Sequence, residues 1–211
     1  MIKKAIIISA GTIKDYKYIK SFINTDDLII CADGGYIHSK NMGVTPHIIV
    51  GDFDSLGYVP DSSDFTQIIK HPKDKDFTDT ELAVHIAKEK GANYFLLFGV
   101  VGSRLDHSLS NITMLERLNN EKTTAIIINE NNKIYFCKKN KKITLYEPLE
   151  SLVSLIPMSP CSGVYTKGLK YQLKNADMLP GYGLGVSNVV KYVPATITLN
   201  DGNMLVIVAC D

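Results

Sequence analysis

An α/β domain with a mostly parallel sheet, followed by an all-β sandwich-like domain, is the fold class this 211-residue sequence predicts. Two observations carry the prediction. From Lys3 to about Glu130, short apolar runs alternate with stretches of helical character, and strands that are apolar throughout imply a parallel sheet covered on both faces. After Asn131 the helical periodicity stops, and β-rich segments follow one another between Gly, Pro, Asn and Lys, as in an antiparallel sandwich. The expected division is residues 1–132 for the α/β domain and 133–211 for the β domain.

Taken in order, the strands of the first part are AIIIS, LIICA, HIIVG, TQIIK, YFLLF and TAIIIN. Each is five or six residues rich in β-branched or aromatic types, too short for a helix. Helices are expected near 14–23, 34–42, 78–90 and 104–119. The third has the clearest ends. Thr78 and Glu81 form a capping box, Leu82, Ala83, Ile86 and Ala87 repeat at helical spacing, and Gly91 is the stop. In the fourth, Leu105, Leu109 and Ile112 are expected to make the buried stripe, with Arg104, Ser108 and Asn111 on another face. The second part reads as KIYFC, KITLYE, LVSLIP, GVYTKGLKYQL, ATITLN and MLVIVA, and the basic run CKKNKK at 137–142 as a solvated turn between strands.

Composition removes several function classes. A formal net charge of +1 leaves no general electrostatic case for nucleic acid. No apolar run approaches the roughly 20 residues a bilayer-spanning helix needs, and the short apolar start is poorly flanked for a signal peptide, so a cytoplasmic protein is expected. The four cysteines, at 31, 137, 161 and 210, show no CxxC spacing, which points to buried thiols rather than zinc or disulfides.

The polar residues of the first part gather at strand ends. CADGG (31–35), GDFDS (51–55), HPKDKDFTD (71–79) and GVVGSRLDH (99–107) each follow a strand, and parallel topology brings such turns to one edge of the sheet. Aspartates in a turn can simply bond their own backbone. Here, however, Asp33, Asp52, Asp54, Asp74 and Asp76 would crowd one rim, and packed carboxylates repel unless a cation neutralises them. Hard oxygen ligands without a neighbouring cysteine favour Mg²⁺, which commonly shares its sphere with phosphate oxygens. A nucleotide polyphosphate is therefore the expected guest. The capping box accounts for Glu81 and partly for Asp79, leaving Asp76 as the metal or catalytic candidate, beside a helix N-terminus suited to phosphate. Gly99 and Gly102 let backbone approach a phosphate, Arg104 is a permanently charged fork for one, and His107 beside Asp106 is a further polar candidate.

With ADGG, GDFDS, KDFTDTELA, GSRLDH, GLKYQL (168–173) and GVSN (185–188) in order, the chain resembles the thiamine pyrophosphokinases of bacterial type. The resemblance implies a homodimer with shared active sites and Mg²⁺-dependent reaction of ATP with thiamine to give thiamine diphosphate and AMP. By that similarity Asp52, Asp54 and Asp76 hold the metal. Asp33, Gly34, Thr78, Asp79, Gly102, Arg104, Asp106, His107 and Asn111 surround the nucleotide, and Asp54, Asp76 and Arg104 act in catalysis. Ser187 and Asn188 line the thiamine pocket, and in a chain without Trp the aromatic partner is assigned to Tyr182. Two alternatives stay open on the residues alone. One is a nucleotide-sugar transferase using Asp52-Phe53-Asp54 as a DxD motif; the other is a non-catalytic Mg-nucleotide-binding module.

Overall fold

The computed structural model describes residues 3–54, 57–58, 66–70 and 77–210, which fall into two compact units. The first comprises Met1–Met114 with Thr123–Glu130, and the second Leu115–Lys122 with Asn131–Asp211.

The first unit contains β1 (Lys4–Ile8), α1 (Tyr16–Lys20), β2 (Leu28–Ala32), α2 (Gly35–Met42), β3 (Ile48–Gly51), β4 (Gln67–Lys70), α3 (Asp79–Glu89), β5 (Tyr94–Phe98), most of α4 (Leu105–Leu118) and β6 (Thr124–Ile128). Its strands are ordered β6-β5-β1-β2-β3-β4, and every pairing is parallel. Ile6, Ile7, Ile30, Val50, Phe95 and Leu97 are buried completely or nearly so, which explains why these strands read as unbroken apolar runs rather than alternating ones. The capping box of α3 is formed as expected. Glu81 N–H donates to Thr78 Oγ1 at 3.2 Å and Thr78 N–H donates to Glu81 Oε2 at 3.1 Å, while Ala83 and Ala87 face the core.

The first turns of α4 depart from the expected stripe. Leu105 and Leu109 are 68% and 51% exposed, whereas Ser108 and Asn111 are buried. The inward face is polar because it holds the preceding loop. Gly102 N–H donates to Ser108 Oγ at 3.1 Å, Ser108 Oγ donates to Arg104 O at 2.9 Å, and Asn111 Nδ2 donates to Val100 O at 2.8 Å. Irregular backbone needs such partners. Apolar burial resumes at Met114, Leu115 and Leu118.

The second unit contains β7 (Asn132–Lys138), β8 (Ile143–Leu145), β9 (Leu152–Pro157), β10 (Cys161–Lys167), β11 (Ala176–Met178), β12 (Asn188–Val189), β13 (Ala195–Thr198) and β14 (Asn203–Ala209). Its strands pair antiparallel in the orders β12-β9-β14-β7 and β11-β10-β13-β8. Leu145, Val153, Leu155, Val164, Ile197 and Val206 fill one core, the arrangement of a sandwich. Of CKKNKK, Cys137 and Lys138 end β7 and residues 139–142 make the turn to β8, with Asn140 at φ +63°. Cys31, Cys137 and Cys161 are buried and Cys210 is exposed. Burial pushes the Cys31 and Cys137 thiols up to about 12 and raises Cys161 as well.

Candidate active site

The chain lays down β1 to β4 outward in one direction, then returns to place β5 on the other side of β1. The carboxyl ends of β1 and β5 are therefore the switch point of the sheet, where ligands of open α/β folds collect. The turns after β2, β3 and β5 share this edge. The turn after β4 includes Asp74 and Asp76, which lie outside the described residues.

The turn after β2 is held tightly. Asp33 is buried at φ +45°, in the left-handed region that an aspartate tolerates better than most residues, and its N–H donates to Val50 O at 2.8 Å. A side chain on Gly51 would place Cβ 3.0 Å from Asp33 Cβ, so the glycine of GDFDS lets the two turns touch. A Cβ on Gly35 would lie 2.0 Å from Ile8 O, which seats ADGG against the end of β1. Phe53, buried at φ +65°, anchors the next turn and orients Asp52, whose Oδ1 accepts from Asp54 N–H at 3.1 Å.

Asp79 opens α3 directly after the capping threonine. Among the described residues, carboxylate oxygens of Asp33, Asp52 and Asp79 lie within 4.8 Å of one another. Three carboxylates this close repel unless a cation stands between them, and their hard oxygens and differing burial suit Mg²⁺ completed by water or phosphate. Of the expected metal set, Asp52 belongs to this grouping, Asp54 is exposed beyond it, and Asp76 lies outside the described residues; Asp33 and Asp79, expected at the nucleotide, stand with Asp52.

The remaining candidates divide by function. Thr78 caps α3 and Asn111 holds Val100, so both shape the edge. Arg104 and Asp106 are exposed and paired, Nη2 to Oδ2 at 2.6 Å and Nε to Oδ1 at 3.2 Å. Hydrogen bonds from Arg104 draw the Asp106 carboxyl down to about 2, helped by the backbone N–H of His107. An exposed pair of this kind is weak, so its guanidinium can turn to a phosphate at small cost. His107 is exposed beside them, and Gly102 approaches Gly11, with a Cβ there 3.3 Å from Gly11 Cα.

One element of this edge was not legible in the sequence. The turn Ser9–Thr12, after β1, touches three neighbours. Ser9 Oγ and Thr80 Oγ1 are 2.8 Å apart, Gly11 N–H donates to Gly99 O at 2.6 Å, and Thr12 N–H donates to Val101 O at 3.0 Å. Gly11 was the available signal, but its importance depends on strand order.

In the second unit, Asn188 is buried. Its Oδ1 accepts from Tyr171 N–H at 3.0 Å and Val189 N–H at 2.9 Å, and its Nδ2 donates to Tyr171 O at 2.7 Å, bracing the GLKYQL loop. Ser187, at φ +57°, and Tyr182 are exposed, as are Tyr171, Leu179, Leu184 and Val186.

Two family profiles match the chain. That described as "Thiamin pyrophosphokinase, catalytic domain" matches residues 19–128, and that described as "Thiamin pyrophosphokinase, vitamin B1 binding domain" matches residues 140–204. The thiamine pyrophosphokinase of Bacillus subtilis (strain 168) is 28% identical over 226 residues, spanning 99% of this chain and all of that protein. Thiamine pyrophosphokinase 1 of Oryza sativa subsp. japonica is 27% identical over 201 residues, 81% of this chain and 75% of the relative. The crystal structure of the B. subtilis enzyme superposes with a TM-score of 0.86 at 23% identity, covering 99% of this chain and 100% of the other. That from Geobacillus thermodenitrificans gives 0.83 at 25%, covering 99% and 98%. With the catalytic profile alone spanning more than half of the residues, and the fold shared end to end, the chain belongs to the thiamin pyrophosphokinase family.

Proposed function

We propose that the chain catalyses transfer of the pyrophosphoryl group of ATP to the hydroxyl of thiamine, giving thiamine diphosphate and AMP, with residues 1–132 handling ATP and 133–211 the acceptor. Within the family assignment, the observation that carries the reading is the convergence of Asp33, Asp52 and Asp79 within 4.8 Å at the carboxyl edge of a parallel sheet. These oxygens would hold Mg²⁺, which when bound supplies neutralisation of polyphosphate charge. In the reaction the thiamine oxygen bonds to the β-phosphorus and the bond from that phosphorus to the α,β-bridging oxygen breaks, leaving the electron pair on AMP. The N-terminus of α3 and the guanidinium of Arg104 face charge that grows on phosphate oxygens, and both offer donors that need little rearrangement. The hydroxyl proton would pass to Asp54, beside Asp52 in the turn after β3. Asp76 is a second candidate for that role.

The second unit would take thiamine with Ser187 and Tyr182, while Asn188 shapes the pocket from behind. The exposed apolar groups around Tyr182 suit burial against an aromatic substrate or a second chain, and we assign the working form to a homodimer with shared sites. The purified protein with ATP, Mg²⁺ and thiamine is expected to yield AMP and thiamine diphosphate in equal amounts. ADP in place of AMP, or nucleotide binding without turnover, would reject the reading.

A further inference from the structure

Between Ser9, whose N–H donates to Phe98 O at the end of β5, and Asp15, whose carbonyl accepts from Ile19 N–H of α1, the backbone lies outside sheet and helix, and its partners come from distant parts of the sequence. Two polar side chains are committed to it. His38, on α2, lies with Nε2 2.7 Å from Gly11 O. Glu130, just beyond β6, accepts the N–H of Lys14 and, at 2.8 Å, that of Asp15 on one oxygen.

The hydrogen-bond roles at His38 follow from its partners. A carbonyl only accepts, so Nε2 carries the proton. In the neutral ring Nδ1 then accepts from Tyr16 O–H at 3.0 Å, and that hydroxyl accepts from Asn41 Nδ2 at 2.9 Å. The result is one continuous line of donors from Asn41 through Tyr16 and His38 to the Gly11 carbonyl. At Glu130, burial works to raise the carboxyl pKa, but the N–H groups of Asp15 and Lys14 outweigh it and hold the group below its ordinary range.

Gaining apolar burial does not account for this arrangement. Between Ala10 and Asp15 only Ile13 is buried, and Thr12, Lys14 and Asp15 are exposed. What the two side chains fix is the path of the backbone at the switch point. There the tolerances are small: a Cβ on Gly11 would lie 2.4 Å from Gly99 O and 2.7 Å from Val101 O. A displacement of the turn would therefore carry the Gly99–Gly102 loop with it.

Resting on the ATP-dependent reading above, we infer that His38 and Glu130 are positioning residues of the ATP site, acting through the Gly11–Asp15 backbone rather than by touching the nucleotide. Steady-state kinetics with ATP and thiamine varied separately tests this, alongside calorimetric binding of Mg-ATP and a melting curve for each variant. His38→Ala and Glu130→Ala are expected to raise the KM for ATP about fivefold or more and weaken Mg-ATP binding in parallel, with kcat and the KM for thiamine nearly unchanged. His38→Gln, which keeps a donor near the same place, and Glu130→Gln, which keeps an acceptor, are expected to bring the ATP KM back to within about twofold of the parent. A lower melting temperature with an unchanged ATP KM would make both side chains purely structural and overturn the inference. If an alanine variant does not fold, Tyr16→Phe removes a single hydroxyl from the line: a raised ATP KM supports the inference and an unchanged one overturns it. Absence of AMP and thiamine diphosphate from the parent protein would instead reject the ATP-dependent reading itself.

Discussion

Asp33, Asp52 and Asp79 carry the strongest expectation at the level of single residues. Replacing any one by asparagine keeps its shape and removes a charge from a crowded group, so the fold should survive and mutual repulsion should fall. Thermal unfolding without metal is expected at or above the parent's temperature, while turnover drops on the order of 10²-fold or more, as when a charge-stabilising group is lost. Variants that melt well below the parent and keep their turnover would reduce these aspartates to turn residues. Asp33 and Asp52 were legible because each ends an apolar run. Asp79 was harder to see. It sits inside a capping box that already accounts for its neighbours, and a helix-start aspartate needs no further explanation until the fold turns its carboxylate toward the other two.

Elements show why some parts of the fold could be read ahead and others could not. Strands buried on both faces announce themselves as apolar runs, and a capping box fixes a helix start from four letters. Thr78→Ala is thus expected to cost about 1 kcal/mol in denaturant unfolding, through the lost bond to Glu81 N–H. No change in stability would mean that Glu81 or water replaces the cap. Helix α4 failed the same kind of reading because apolar spacing marks a core face only where the core is apolar. Its inward first turns hold loop carbonyls and amides with Ser108 and Asn111, and Leu105 and Leu109 are left outside. Strand order was equally out of reach, since the apolar runs do not say which strands are neighbours, and with it the role of the Ser9–Thr12 turn. The glycines test how closely these elements meet. Gly35→Ala would drive a methyl to 2.0 Å from Ile8 O, backbone that cannot swing aside. A stability loss of roughly 1–3 kcal/mol is expected, together with a weakened grip on ATP as ADGG lifts from β1. An alanine variant as stable as the parent would show that the two turns have room to part.

At the scale of the whole molecule, the chain divides into two compact units, and the proposed homodimer gives a direct test of how the proposed ATP and acceptor tasks are shared. Asp52→Asn disables the first unit, and Tyr182→Ala with Ser187→Ala is meant to disable the second. Refolding the two inactive variants together should place about half of the chains' dimers in mixed form, each with one intact site, and return roughly a quarter of parental activity. No recovery despite verified mixed dimers would place both halves of a site on one chain. The distribution of thiols supplies a second, independent view. Cys31 lies in the first unit and Cys137 and Cys161 in the second, all buried, whereas Cys210 is exposed. A thiol with a pKa of about 12 is ionised in only about one molecule in 10,000 at pH 8, so it waits for the structure to open before it reacts. An alkylating reagent should consume one equivalent at once, at Cys210, and the rest slowly; rapid capture of all four from folded protein would contradict the burial. The slow phases become two clocks within one chain. Mapped by peptide, the rate at Cys31 times the opening of the parallel sheet, and the rates at Cys137 and Cys161 time that of the sandwich. Adding Mg-ATP without thiamine should slow the first clock and leave the second running at its own pace.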